Sequence, residues 1–279
     1  MCLPFLPFLI LWFASGRAQL CSFSREFAVD NCTACPTLDH TRGDVRMAVC
    51  QERAAGTGVG IAYACVCLDF PDAEALVEVR QDGSKGRRWT YAELLVDTER
   101  LAMALSTRFD TGERIVVWSP NSPEWVLMEY ACALSGLVLV TANPAFQARE
   151  LAYVLKQSGA VALFLVEKFR GNPMGQIGAE VAKGIEGIRE ITDMNTDAFY
   201  AKGPCRPSLP TVQPSNAAMI QYTSGTTGFP KGAVLSHRGL VNNARFYASR
   251  CGATKATTWV NIMPMFHTSG CGMVTLGCL

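Results

Sequence analysis

From about Phe70 the chain alternates short β-rich runs with amphipathic segments, and few architectures accommodate that alternation. Ala75–Arg80 alternates with the period of a strand. Thr90-Tyr91-Ala92-Glu93 is a capping box, in which a hydroxyl and a carboxylate satisfy free amides at a helix start. The helix it predicts, Ala92 to about Phe109, repeats Leu94, Leu95, Leu101 and Leu105 at helical spacing. Arg114–Trp118 reads as a strand, and Ser122 then caps a helix with Pro123 at its first position, where a missing N–H costs nothing. Leu137–Val140 is an apolar strand, Arg149–Ser158 a helix closed by Gly159, and Val161–Val166 a second buried-type strand. Another helix fits between Asn172 and Gly187, and prolines 204, 207, 210 and 214 mark a connection into the strand Ala217–Tyr222. The expected fold is therefore α/β, with a mostly parallel sheet flanked by helices on both faces.

Residues 1–69 lack this pattern and are expected to form a leader or extension, with the α/β body running over 70–279. Leu3–Phe13, LPFLPFLILWF, is too short to span a bilayer. It suits a signal-peptide core, with Ala14 and Gly16 at cleavage positions, although no Lys or Arg precedes it and Pro4 and Pro7 interrupt it. Membrane association through this run and another kind of leader both stay open, with an intracellular location favoured. Asn31-Cys32-Thr33 is formally a glycosylation sequon. Seven of the 12 cysteines lie at or before Cys67, including the pairs Cys32/Cys35 and Cys65/Cys67. Only His40 lies near them as another ligand type, so unpaired thiols are favoured over a zinc or disulfide framework. A net charge of +1 without a basic stripe gives no case for nucleic acid.

The segment QYTSGTTGFPKGAVLSH, residues 221–237, carries the chemistry. Glycines let backbone N–H groups converge on an anion. Thr223, Ser224, Thr226 and Thr227 add hydroxyls, and Lys231 adds a point charge suited to phosphate. A Walker A loop fails here: Pro230 stands where that motif has Gly, Gly232 where it has a magnesium-binding hydroxyl, and Gly232–Leu235 reads as a strand rather than a helix. His237 is expected to begin the helix Arg238–Arg250, capped by Ser236 or by itself, without a catalytic role.

TSGTTGFPKGAVLSH resembles the phosphate-binding loop of the adenylate-forming (AMP-dependent) synthetases and ligases. NIMPMFHTSGCG, residues 261–272, is similar to the family segment that carries a proline, an aromatic and a histidine toward the acyl pocket. RRWTYAEL (87–94), GERIVVWSPNSPEWV (112–126) and LVLVTANPAFQARELAYVLKQSGA (137–160) follow in family order, most like fatty-acyl-CoA synthetases. The resemblance covers about residues 70–279.

It implies ATP-dependent ligation of a carboxylic acid to coenzyme A through an acyl-adenylate. Thr223, Ser224, Gly225, Thr226, Thr227, Gly228 and Lys231 would hold the leaving phosphates, with Thr226, Thr227 and Lys231 closest to the charge. His267 and Phe266 would line the site near the carboxylate, His267 being alternatively a structural histidine. Met263, Met265 and Met273 could line an acyl tunnel or pack in the core. Met273–Leu279 is expected to be an unfinished helix. The family's later motifs, including a magnesium-holding carboxylate and a C-terminal lysine, have no counterpart before Leu279. The resemblance therefore implies the N-terminal part of a ligase, expected to be weakly active or inactive alone. A non-catalytic nucleotide-binding or interaction fragment is the alternative.

Overall fold

The computed structural model describes residues 8–11 (backbone only), 58–80, 82–201, 208–223, 230–254 and 257–279. Cys32, Cys35, Asn31 and His40 lie outside them, as do Ser224, Gly225, Thr226, Thr227 and Gly228 of the loop.

Two sheets organise the chain. The smaller contains β1 (Phe8–Leu11), β2 (Glu74–Val79), β3 (Lys85–Thr90) and β10 (Trp259–Asn261), in the order β10-β1-β2-β3 and antiparallel throughout. The larger contains β4 (Arg114–Trp118), β5 (Val138–Ala142), β6 (Ala162–Leu165), β7 (Glu190–Asp193), β8 (Ala217–Thr223) and β9 (Lys231–Ser236), in the order β7-β6-β4-β5-β8-β9. All its pairs are parallel except β8–β9. Val116 at the centre of β4 faces Val140 on one side and Leu163 on the other. Parallel neighbours need a crossover, and the helices supply it.

The local signals work as their chemistry requires. Thr90 Oγ1 accepts from the Glu93 amide at 3.2 Å, and Glu93 Oε2 accepts from the Thr90 amide at 2.8 Å, opening α2 (Tyr91–Ser106). The helix stops three residues before Phe109, the end expected from periodicity. Ser122 Oγ accepts from the Trp125 amide at 3.2 Å, and Pro123 starts α3 (Pro123–Ser135), which is buried along its whole length. Gly159, with φ 61°, closes α4 (Ala148–Ser158) in the left-handed region that glycine occupies without strain. The next helix, α5 (Met174–Lys183), is shorter than the space from Asn172 to Gly187. Ser236 caps α6 (His237–Arg250) by accepting from the Gly239 amide at 3.2 Å.

The body begins earlier than the change of pattern at Phe70. Helix α1 (Val59–Asp69) buries Val59, Tyr63, Ala64 and Cys67 in the main core. Tyr63 stacks on Tyr130 of α3 with ring centroids 4.0 Å apart, and its hydroxyl bonds Thr98 Oγ1 of α2 at 3.0 Å. Cys65 and Cys67 are helical residues here. No group of three His, Cys, Asp or Glu able to hold a metal occurs among the described residues. Phe8–Leu11, inside the apolar run suggestive of a signal core, pairs as a strand between β2 and β10. No described helix is long and apolar enough to cross a membrane. The C-terminal helix starts before Met273, as a wide π-type turn over Ser269–Thr275.

Two buried ionisable groups stand out. Both carboxylate oxygens of Glu129 on α3 lack a hydrogen-bond partner among the described residues, and burial raises its pKa well above the usual value. Neither ring nitrogen of His237 has such a partner, and burial lowers its pKa to about 4. Their pH effects oppose each other. A Glu kept protonated in the fold loses stabilisation as pH rises above the unfolded value near 4.5. A His kept neutral loses it as pH falls from about 6.5 toward 4. Thermal unfolding of Glu129→Gln should therefore show a gain over the unaltered chain that grows between pH 5 and 8, by up to about 1.4 kcal/mol per pH unit. A constant difference across that range would contradict a protonated Glu129.

Candidate functional site

The carboxyl ends of β4, β5, β6 and β8 lie on one edge of the larger sheet, because parallel pairing aligns them. In open parallel sheets that edge, where successive strands diverge to opposite sides, is where a crevice opens. Here β5 and β6 flank β4 on opposite sides. A cavity of about 430 Å³ opens there, lined by Asn121 after β4, Asn143 and Gln147 after β5, Arg170 and Asn172 after β6, and Phe266.

Its polar walls are held by their own backbone bonding. Trp118 Nε1 donates to the Asn143 carbonyl at 2.8 Å, and Asn143 Oδ1 accepts from the Ala145 amide at 2.9 Å. Asn172 Nδ2 donates to the carbonyls of Pro144 at 3.0 Å and Phe146 at 3.2 Å. Arg170 has φ 48°, a left-handed conformation forced by the tight turn that bridges Phe169 to Asn172.

The segment carrying Phe266 and His267 is fastened to this edge. Asn121 Nδ2 donates to the Met263 carbonyl at 2.8 Å, while its Oδ1 accepts from the Met265 amide at 2.8 Å. One amide side chain thus satisfies an acceptor 142 residues away and a donor 144 residues away along the chain. Behind it, buried Asn261 donates to the Gly270 carbonyl and to Thr275 Oγ1, each at 3.1 Å. Met265 is fully buried in the core, so the packing reading holds for it, whereas Met263 is exposed.

His267 is exposed. Its Nδ1 accepts from the Ser269 amide at 3.2 Å and lies 2.9 Å from Ser269 Oγ. An Nδ1 that accepts leaves the proton of the neutral ring on Nε2, free to donate to an oxygen. The turn needs a glycine at 270, where a Cβ would stand 2.3 Å from the Pro264 carbonyl oxygen.

The loop leaves the sheet at the same edge. Thr223 ends β8 and Lys231 begins β9, and the two face each other in the antiparallel ladder. Both are exposed. No carboxylate among the described residues pairs with Lys231. Thr223, Lys231 and His267 are thus placed on segments reaching one edge, while Ser224, Gly225, Thr226, Thr227 and Gly228 fall outside the described residues. Asn121, Asn143, Asn172, Gln147 and Arg170 escaped the sequence reading. The Asn-rich turns SPNSP and ANPAF were the available signals.

Gly270→Ala should lower stability by about 1–3 kcal/mol, because the displaced neighbour is backbone. Denaturant titration of the chain checks this, and an unchanged midpoint would contradict so close an approach.

A profile of the AMP-binding enzyme family matches residues 66–279. The chain is 35% identical over 254 residues to the human mitochondrial medium-chain acyl-CoA ligase ACSF2, covering 79% of this chain and 41% of that protein. It is 33% identical to the zebrafish (Danio rerio) ACSF2, over 72% of this chain and 38% of that one. Among solved structures it is similar to a long-chain-fatty-acid-CoA ligase (FadD1) of Archaeoglobus fulgidus, with a TM-score of 0.65 at 22% identity over 80% of this chain and 45% of that one. The N-terminal domain of FACL13 from Mycobacterium tuberculosis matches with a TM-score of 0.63 at 23% identity, over 79% of this chain and 55% of that one. The chain spans about two fifths of the length of the curated relatives it matches. With the parallel sheet, the loop ends Thr223 and Lys231 at its carboxyl edge and the profile match over 66–279, the chain belongs to the AMP-binding enzymes, the adenylate-forming ligases.

Proposed function

We propose that this chain carries the phosphate- and carboxylate-binding part of an ATP-dependent acid–CoA ligase, acting on a fatty acid. The observation that carries the reading is the place of the loop: its two ends, Thr223 and Lys231, leave the sheet at the carboxyl edge, beside the strands that frame the cavity. The ligase class is supported by the family membership and by relatives named as acyl-CoA ligases.

In this reading a carboxylate attacks the α-phosphorus of ATP, forming an acyl-adenylate and expelling pyrophosphate. Charge builds on the departing β- and γ-phosphates. Thr223–Lys231 meets it with backbone N–H groups, the hydroxyls of Ser224, Thr226 and Thr227, and the Lys231 ammonium. Donors already in place at the point where charge develops lower the barrier without reorganising at that moment. His267, with its proton on Nε2, donates to an oxygen of the carboxylate and orients it. The coenzyme A thiol then takes the acyl group and AMP leaves. Among the described residues no group of three His, Cys, Asp or Glu could hold a metal unaided, so magnesium would be held chiefly by the substrate phosphates it accompanies.

The alternative reading is a nucleotide-binding or interaction fragment that does not itself catalyse adenylation. Exchange of labelled pyrophosphate into ATP separates the two. With this chain joined to the remaining part of a curated relative, the ligase reading requires exchange that depends on added fatty acid and falls in Lys231→Ala by a factor corresponding to about 2–4 kcal/mol. ATP binding without exchange supports the second reading. Full exchange in Lys231→Ala would contradict the role of that lysine. His267→Ala should raise the fatty acid concentration needed for exchange more than the ATP concentration.

A further inference from the structure

Helix α4 touches both ends of the loop. Tyr153 and Gln157 are four residues apart and so share one helix face. On the outgoing side, the Tyr153 hydroxyl donates to the Pro230 carbonyl at 3.0 Å. On the incoming side, the Tyr222 hydroxyl donates to the Gln157 side-chain carbonyl and lies 3.4 Å from the Val154 carbonyl. The rings of Tyr153 and Tyr222 meet edge to face, with centroids 6.4 Å apart. Gly232 lets the outgoing strand lie close: a Cβ there would stand 3.2 Å from Gln157 Oε1 and 3.3 Å from Tyr222 Cζ.

We propose that α4 clamps both stems of the loop and that the Tyr153 hydroxyl is a positioning residue for Lys231. The proposal rests on the reading of residues 223–231 as a phosphate site. The Pro230 carbonyl belongs to the same planar peptide group as the Lys231 N–H. Holding that oxygen fixes the direction of the Lys231 amide and of its Cα. The clamp matters because β9 ends the sheet order, pairing with β8 alone among the described strands. Its loop-proximal end therefore depends on a contact from outside the ladder.

The helix is a firm support. Leu151, Val154 and Leu155 are buried beneath it, the Gln147–Glu150 capping box starts it, and Gly159 closes it. Gln147 also borders the cavity, so one rigid helix joins the cavity wall to the loop stems. Packing alone does not explain the hydroxyl, since a phenylalanine ring would fill the same space against Tyr222.

The test compares the chain with Tyr153→Phe, Lys231→Ala and the double variant, using inorganic pyrophosphate as ligand in calorimetric titration and amide hydrogen exchange on the free proteins. Tyr153→Phe should bind pyrophosphate about fivefold more weakly, with the melting temperature lowered by no more than a few degrees, the effect of one net intramolecular hydrogen bond. Exchange at the Lys231 and Gly232 amides should be faster. In the Lys231→Ala background the Tyr153 change should cost less, because only the part that acts through the backbone amide of residue 231 remains. Unchanged affinity or unchanged exchange in Tyr153→Phe overturns the proposal, as does a loss of equal size in both backgrounds. If the unaltered chain does not bind pyrophosphate, the phosphate reading itself fails, and the exchange rates alone still decide whether the clamp exists.

Discussion

Parallel pairing around β4 is the constraint on which the rest of the molecule depends. Strands that run the same way put all their carboxyl ends on one edge, and each must be followed by a crossover before the next can pair. That rule sets α3 and α4 against the sheet and delivers the turns after β4, β5 and β6 to a single cavity. It also brings the end of β8 to the same edge, since β8 pairs in parallel with β5. Only then does the chain reverse: β9 runs antiparallel to β8, so the two strands need no crossover helix between them. A strand-to-helix phosphate loop is excluded by that geometry, in agreement with Pro230 and Gly232 at the positions where a Walker loop needs other residues.

Polar side chains then fix irregular backbone to this scaffold. Asn121 holds the Met263–Met265 backbone from the turn after β4, and Asn261 holds Gly270 and Thr275 from inside the fold. Both asparagines are buried and use both ends of the amide, so neither leaves an unpaired group in a low-dielectric place. Glu129 and His237 are the counterexamples, each buried without a partner among the described residues. A protonated carboxyl and a neutral imidazole are the forms such sites tolerate.

Much of this was legible in the sequence where the determinant is local. Capping at Thr90 and Ser122, the proline at 123, the closing glycine at 159 and the loop itself are chemistry written within a few residues. The elements missed are those whose stability comes from elsewhere. β3, KGRRWT, buries only Trp89 and pairs with β2 through exposed basic residues that read as a loop. β7 is a short edge strand with one buried residue. Helix α1 is apolar around much of its circumference, so it lacks the period that marks a surface helix, and the boundary was set at Phe70 instead. Asn121, Tyr153 and Tyr222 could not be singled out because their partners lie 142, 77 and 65 residues away along the chain. His267 was found only through resemblance to a family segment; its Ser269 contacts are local but carry no signature of function.

The proposed phosphate site lies at the carboxyl edge, between the described ends Thr223 of β8 and Lys231 of β9. Amide chemical-shift mapping of the chain during titration with ATP tests it most directly. The account predicts saturable shifts at Thr223, Lys231 and Gly232, extending to Tyr153 on α4, while the smaller sheet stays unperturbed. Shifts confined to other surfaces, or none at ATP concentrations that saturate weak nucleotide sites, would contradict it.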